Sequence, residues 1–86
     1  MTELTVTVRY FAAVREALGE GEMLRVPAAT TVADLRLRLA ARDAAHARAL
    51  GPEQRLRVAV DQALADESLV LAADAEVAFF PPVTGG

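Results

Sequence analysis

The chain contains no cysteine, no tryptophan and no lysine, and only one histidine, one tyrosine and three phenylalanines among its 86 residues. Without cysteine there are no disulfide staples, no thiolate metal ligands and no thiol nucleophiles, so sulfur chemistry on a side-chain thiol is excluded. An unstapled small domain also suits a reducing cytoplasm. Positive charge is thin: nine basic residues, all arginine, stand against twelve acidic ones for a net charge of −3, and they form no stripe of the kind a nucleic-acid surface needs. No apolar run approaches the roughly 18 residues of a membrane span. The opening Met1-Thr2-Glu3-Leu4 lacks the basic region of a signal peptide. The expectation is a cytoplasmic protein without nucleic-acid or membrane partners.

The hydrophobic fraction is 53%, but 19 of those residues are alanine. The larger apolar side chains suffice for one sheet and one helix. A fold of this size hides about 60–65% of the surface its unfolded chain exposes, which leaves little room for an active-site cleft. Residues 1–86 are accordingly read as one domain.

Period-two alternation of Leu4, Val6, Val8 and Tyr10 with Thr5, Thr7 and Arg9 predicts a first strand with one buried face. Phe11 to Leu18 reads as a short helix stopped by Gly19, and Gly19-Glu20-Gly21 turns the chain. Met23 to Val26 then gives a short second strand, ended by Pro27 and antiparallel to the first. Thr31-Val32-Ala33-Asp34 fits a capping box that starts the main helix. Val32, Leu35 and Leu39 fall on its sheet side, with Arg36 and Arg38 toward water. The face past Leu39 would carry Arg42, Asp43 and His46, so the alanine-rich stretch to Leu50 is expected to run past the sheet, closed by Gly51-Pro52. Leu56 to Val60 predicts a third strand, Asp61-Gln62 a bend into Ala63-Leu64, and Asp66 to Ala75 a loop with Leu69 and Leu71 tucked inward. Glu76 to Phe80 is the last strand, stopped by Pro81-Pro82. The fold class is α+β.

Side chains offer little chemistry. His46 by itself anchors no metal site and is expected to be a solvated helix residue. Asp66-Glu67 and Asp74 with Glu76 have the composition of acid/base pairs, but carboxylates at turns ordinarily solvate loops. Gly19 and Gly21 precede neither a lysine nor a strong helix start, so there is no phosphate cradle. What stands out is the ending. In residues 81–86, Pro81 and Pro82 lead through Val83 and Thr84 to Gly85 and Gly86, an extended tail whose last four residues reach about 13 Å and whose glycines suit a narrow channel.

That ending, read from Glu76 through Phe79-Phe80-Pro81-Pro82-Val83-Thr84-Gly85-Gly86, resembles the MoaD-type sulfur carriers, the small subunits of molybdopterin synthase, in the ubiquitin-like ThiS/MoaD group. Val8-Arg9-Tyr10-Phe11-Ala12, Val14-Arg15-Glu16 and Val58-Ala59-Val60-Asp61-Gln62 extend the resemblance over nearly the whole chain. One departure is Asp74-Ala75, where the family often has an Asp-Gly-Asp turn; aspartate tolerates left-handed angles, so the turn is expected to survive.

The resemblance implies a ubiquitin-like β-grasp fold, a mixed sheet packed on one main helix with a flexible C-terminal tail. It implies no permanently bound cofactor and no catalysis by the chain on its own. A MoeB-like, E1-like adenylyltransferase would use ATP to form an acyl-adenylate at the position matching Gly86, and a sulfur donor would displace AMP to leave a thiocarboxylate. The tail would then enter a MoaE-like large subunit, in a heterotetramer, and give its sulfur to cyclic pyranopterin monophosphate. The family's apolar docking patch carries over to Phe11, Leu64 and Phe80. Neighbouring Phe79 and Phe80 must face opposite sides of their strand, so one of them points away from the core. Alternatives are a ThiS-like or tRNA-thiolation carrier, a protein modifier joined through Gly86, or a purely structural binding module.

Overall fold

The computed structural model describes residues 2–82. Its strands are β1 (Glu3–Tyr10), β2 (Gly21–Pro27), β3 (Arg57–Val60), β4 (Ala63–Leu64) and β5 (Glu76–Phe80); its helices are α1 (Ala12–Leu18), α2 (Val32–Ala40) and α3 (Ala44–Leu50). The five strands form one mixed sheet in the order β2-β1-β5-β3-β4. β1 runs antiparallel to β2 and parallel to β5, and β5 runs antiparallel to β3. This is the expected α+β, β-grasp arrangement. β2 is longer than its apolar residues suggest, because its pairing with β1 extends from Gly21 opposite Arg9 to Pro27 opposite Glu3. Pro27 is tolerated there because β2 is an edge strand.

The alternation predicted for β1 buries Val6, Val8 and Tyr10, which join Val26, Val58, Val77 and Phe79 on one sheet face. Val32, Leu35 and Leu39 of α2 close over them, as their helical spacing requires. The Tyr10 and Phe79 rings stack at 6.5 Å between centroids. The capping box is formed: Asp34 N–H donates to Thr31 Oγ1 and Thr31 N–H to the Asp34 carboxylate, each at 3.1 Å. Two further first-turn amides, of Val32 and Ala33, donate to the carbonyls of Leu69 and Glu67. The 66–71 loop is thereby laid across the start of α2.

Four side chains depart from the sequence reading. Arg36 is only 9% exposed instead of facing water. Its guanidinium donates to the carbonyls of Leu50, Gly51 and Gln54, each at 2.7 Å, and pairs with Glu67 at 2.6 Å. Carbonyls left free past a helix C-terminus need a donor, and a cation there also meets the negative end of the helix dipole. Leu50 is fully buried, so the alanine-rich stretch covers the core after all. The reason is a break: α2 ends at Ala40, and extended Asp43 caps a new helix, which resets the apolar face. His46 is largely covered, its ring Nδ1 2.8 Å from Asp43 Oδ1 with 13% of the side chain exposed. Leu69 is exposed, while Leu71 is buried as expected. A turn closed by Leu69 N–H on the Asp66 carbonyl delays the extended alternation until after Leu69.

The turns explain the remaining register. At Gly21, φ is +141° and an added Cβ would lie 2.0 Å from the Val8 carbonyl oxygen, so only glycine allows β2 to start there. Asp61 and Gln62 both have positive φ, 51° and 70°, forming the two-residue hairpin between β3 and β4. Asp74 takes φ 63°, so the turn before β5 persists without the family's glycine.

Candidate functional site

β5 lies between β1 and β3, so the segment that follows it leaves from an interior strand rather than from an edge. Phe79 faces the core at 1% exposure, while its neighbour Phe80 is half-buried on the opposite face. Pro81 lacks an amide hydrogen, and β5 ends at Phe80. Pro82 is exposed. Val83, Thr84, Gly85 and Gly86 lie outside the described residues.

Directly paired residues share a face, so the registers place the expected docking residues on one surface. Leu64 stands opposite Ala59, Ala59 opposite Ala78, and Ala78 opposite Arg9, giving a cross-sheet row of small side chains with Leu64 at its edge. Phe80 is two residues beyond Ala78 and pairs with Arg57. Phe11 continues the β1 direction, since its N–H donates to the Phe79 carbonyl at 3.2 Å. Its ring carries the Arg9 guanidinium 5.8 Å from its centroid. Phe11 is 40% and Leu64 66% exposed, so neither serves the core. The same face includes Met23, 69% exposed and opposite Thr7. Sequence reasoning assigned Met23 to a strand without assigning it a face; its alternation with Leu24 and Val26 was the available signal.

Three of the carboxylates with the composition of acid/base pairs are structurally employed. Glu67 holds Arg36, Asp74 occupies a left-handed turn, and Glu76 pairs with Arg9 at 3.5 Å. No group of His, Asp and Glu able to hold a metal occurs among the described residues. The buried Tyr10 hydroxyl has no partner among them, and burial, aided by the nearby Glu22 carboxylate against Arg42, pushes its pKa up to about 12. It stays protonated at neutral pH. No helix of the described residues is long and apolar enough to cross a membrane.

The family model described as "ThiS family" matches residues 8–86, from the middle of β1 through the glycine pair. The chain belongs to the ThiS family. Within it, the chain is 41% identical over 81 residues to the molybdopterin synthase sulfur carrier subunit of Escherichia coli (strain K12), covering 94% of this chain and 99% of that one. Among solved structures, this ThiS-family fold matches the Haloferax volcanii HVO 2177 protein at a TM-score of 0.78 and 27% identity, over 98% of this chain and 88% of that chain. It also matches small archaeal modifier protein 1 of H. volcanii at a TM-score of 0.71 and 26% identity, over 93% and 99%.

Proposed function

We propose that the chain is the sulfur carrier of molybdopterin synthase, acting in the cytoplasm and delivering sulfur from Gly86 during molybdenum-cofactor biosynthesis. The observation that carries this reading is the 41% identity to the E. coli sulfur carrier subunit over nearly the full length of both chains. The geometry supports it: an open sheet face beside the root of the tail offers a place to dock.

A terminal carboxylate, ionised at neutral pH, is a poor electrophile and needs activation. A carboxylate oxygen of Gly86 attacks the α-phosphorus of ATP on an E1-like, MoeB-like partner, and pyrophosphate leaves. Hydrosulfide released by a sulfur donor then attacks the acyl carbon, the C–O bond to AMP breaks with AMP taking the electron pair, the S–H proton passes to solvent, and the thiocarboxylate remains. Gly86 lacks a Cβ that would crowd that carbon, and Gly85 lets the main chain approach enzyme walls. In the MoaE-like large subunit, which supplies the catalytic groups, the sulfur passes to cyclic pyranopterin monophosphate. One sulfur per carrier means two deliveries for a dithiolene. Phe11, Leu64 and Phe80 form the docking patch, because a few aromatic and aliphatic anchors usually dominate an interface.

A second reading, attachment of Gly86 to lysines of other proteins, is favoured by the likeness to an archaeal modifier protein. With no lysine of its own, the chain forms no lysine-linked chains with itself. Intact-mass analysis of protein from its native cell separates the two. The expected result is one oxygen exchanged for sulfur on Gly86; an unaltered tail together with branched adducts would replace the carrier by the modifier.

A further inference from the structure

The open sheet face has two ends of unlike charge. β1 and β5 run in parallel and β3 runs against them, so Arg9, Phe80 and Arg57 gather at the end where β5 finishes, while Thr5, Glu76 and Val60 mark the opposite end. At the first end each outward-facing ring has an arginine beside it. The Arg9 guanidinium lies over Phe11, 5.8 Å from the ring centroid, and Arg57 stands directly opposite Phe80. Both arginines are exposed. The acid at this end, Glu20, is held by Arg15 of α1 at 3.5 Å, on the helical side. The β3–β4 ladder stops at Ala59 opposite Leu64, and Asp66 beyond it makes no ion pair with Arg57. At the opposite end the signs reverse. Glu76 stands opposite Thr7, Asp61 Oδ1 accepts from the Glu76 N–H at 3.0 Å, and Asp74 N–H donates to the Thr5 carbonyl at 2.8 Å. Arg25, opposite Thr5, is matched by Glu3 at 3.5 Å. Arg9 reaches between the two ends, since it also pairs with Glu76.

We infer that Arg57 and Arg9 are positioning residues, which meet carboxylates on the rim of the proposed large subunit's docking surface and fix which way round the open face lands. Apolar contacts alone do not select a direction: Phe11, Leu64 and Phe80 fit a complementary apolar surface in more than one rotation, whereas the tail enters from one end. Unlike charges at the two ends remove that ambiguity, because the correct orientation brings opposite signs together and the reversed one brings like signs together. Arginine suits the task, since a guanidinium stacks on an aromatic face and still offers a carboxylate two parallel N–H donors. Both arginines adjoin the last residues of β1 and β5, so a partner that takes in the tail also covers them. The inference rests on the reading of the chain as the carrier that docks in that subunit.

Stopped-flow association of the full-length chain with the large subunit tests it. At roughly 0.01 M salt the Arg9→Gln/Arg57→Gln double variant is expected to associate about tenfold more slowly than the unaltered chain, with a smaller change in dissociation. The difference should close at 1 M salt, where the screening length falls to about 3 Å. Arg57→Lys, which keeps the charge, should retain most of the rate, and Arg25→Gln at the other end should not slow association. Native amide shifts would show that the double variant is folded; should it not fold, Arg57→Gln alone, with the Arg9–Glu76 pair intact, must slow association about threefold at low salt. Equal rates for the altered and unaltered chains overturn the inference, as does slowing that persists at 1 M salt or that Arg25→Gln reproduces. A dimer of the chain alone, seen by sedimentation and abolished by the double variant, overturns it too, giving the arginines to a second copy. Failure of the unaltered chain to bind the large subunit sinks the carrier reading together with the inference, whereas binding at rates indifferent to the arginines sinks the inference alone.

Discussion

The two faces of the sheet come from the same strands and differ in nearly everything else. On one, Val6, Val8, Tyr10, Val77 and Phe79 are buried beneath helices, and Arg36 ties α2 to the end of α3 and to the loops on both sides. On the other, Phe11, Met23 and Leu64 are exposed, and Phe80 is half-buried beside the alanine row. Alternation along a strand lets one sequence segment serve both, since each residue given to the core leaves its neighbour free. Folding therefore depends on the covered face, and the open face is at liberty to present apolar side chains that folding does not require.

The largest expected effect lies on the covered side. Arg36→Ala would leave the carbonyls of Leu50, Gly51 and Gln54 without their donor and is expected to destabilise the fold by roughly 3 kcal/mol in denaturant titrations. Arg36→Lys should recover only part of this, because an ammonium cannot span the same fork of acceptors. A loss below about 1 kcal/mol would mean that the guanidinium is incidental.

On the open side the expectation is the opposite. Phe80→Ala should change folding stability by less than about 1.5 kcal/mol while weakening binding to the proposed large-subunit and activating partners by about 2 kcal/mol, near thirtyfold. Calorimetric titration with each partner reads this. Undiminished affinity for both would remove Phe80 from the docking surface and blur the distinction between the faces.

The smallest effect concerns the helix that completes the cover. The main-chain N–H of His46 and its ring nitrogen both meet Asp43 Oδ1 at 2.8 Å, and these contacts hold the Asp43 carboxyl below its usual range. A folded-state value lower than the unfolded one gives a stabilising contribution that is complete above the ordinary carboxylate range and lost as pH falls through the lowered value. Thermal unfolding of the Asp43→Asn variant should accordingly show a slightly shallower loss of Tm between neutral and acid pH than the unaltered chain.

Sequence legibility followed the same division. Strand alternation and the capping box were readable because both are local: Val6 and Val8 declare their face within a few residues, and Thr31 finds Asp34 three positions on. Phe79 and Phe80 likewise divided as adjacent strand residues must. Arg36 was not readable, since a charged residue on a helix predicts solvent until the carbonyls waiting 14 to 18 positions away, and the Glu67 carboxylate 31 away, are brought to it. Leu50 was misjudged for a related reason, as one capping aspartate restarted the helical phase. At the candidate site, the family resemblance supplied Phe11, Leu64 and Phe80, but their common face emerged only from the registers of β5 with β1 and β3 and of β3 with β4.

The position of β5 has a mechanical consequence. It is laddered on one side to β1, from Thr7 opposite Glu76 to Tyr10 opposite Phe79, and on the other to β3, from Val60 opposite Val77 to Arg57 opposite Phe80. Tension applied along the tail loads both ladders in shear, with all their hydrogen bonds strained together rather than peeled one at a time. A partner pulling on the last residues thus drags the domain behind them as a rigid body, and the force that draws the tail inward also seats the open face against whatever is pulling.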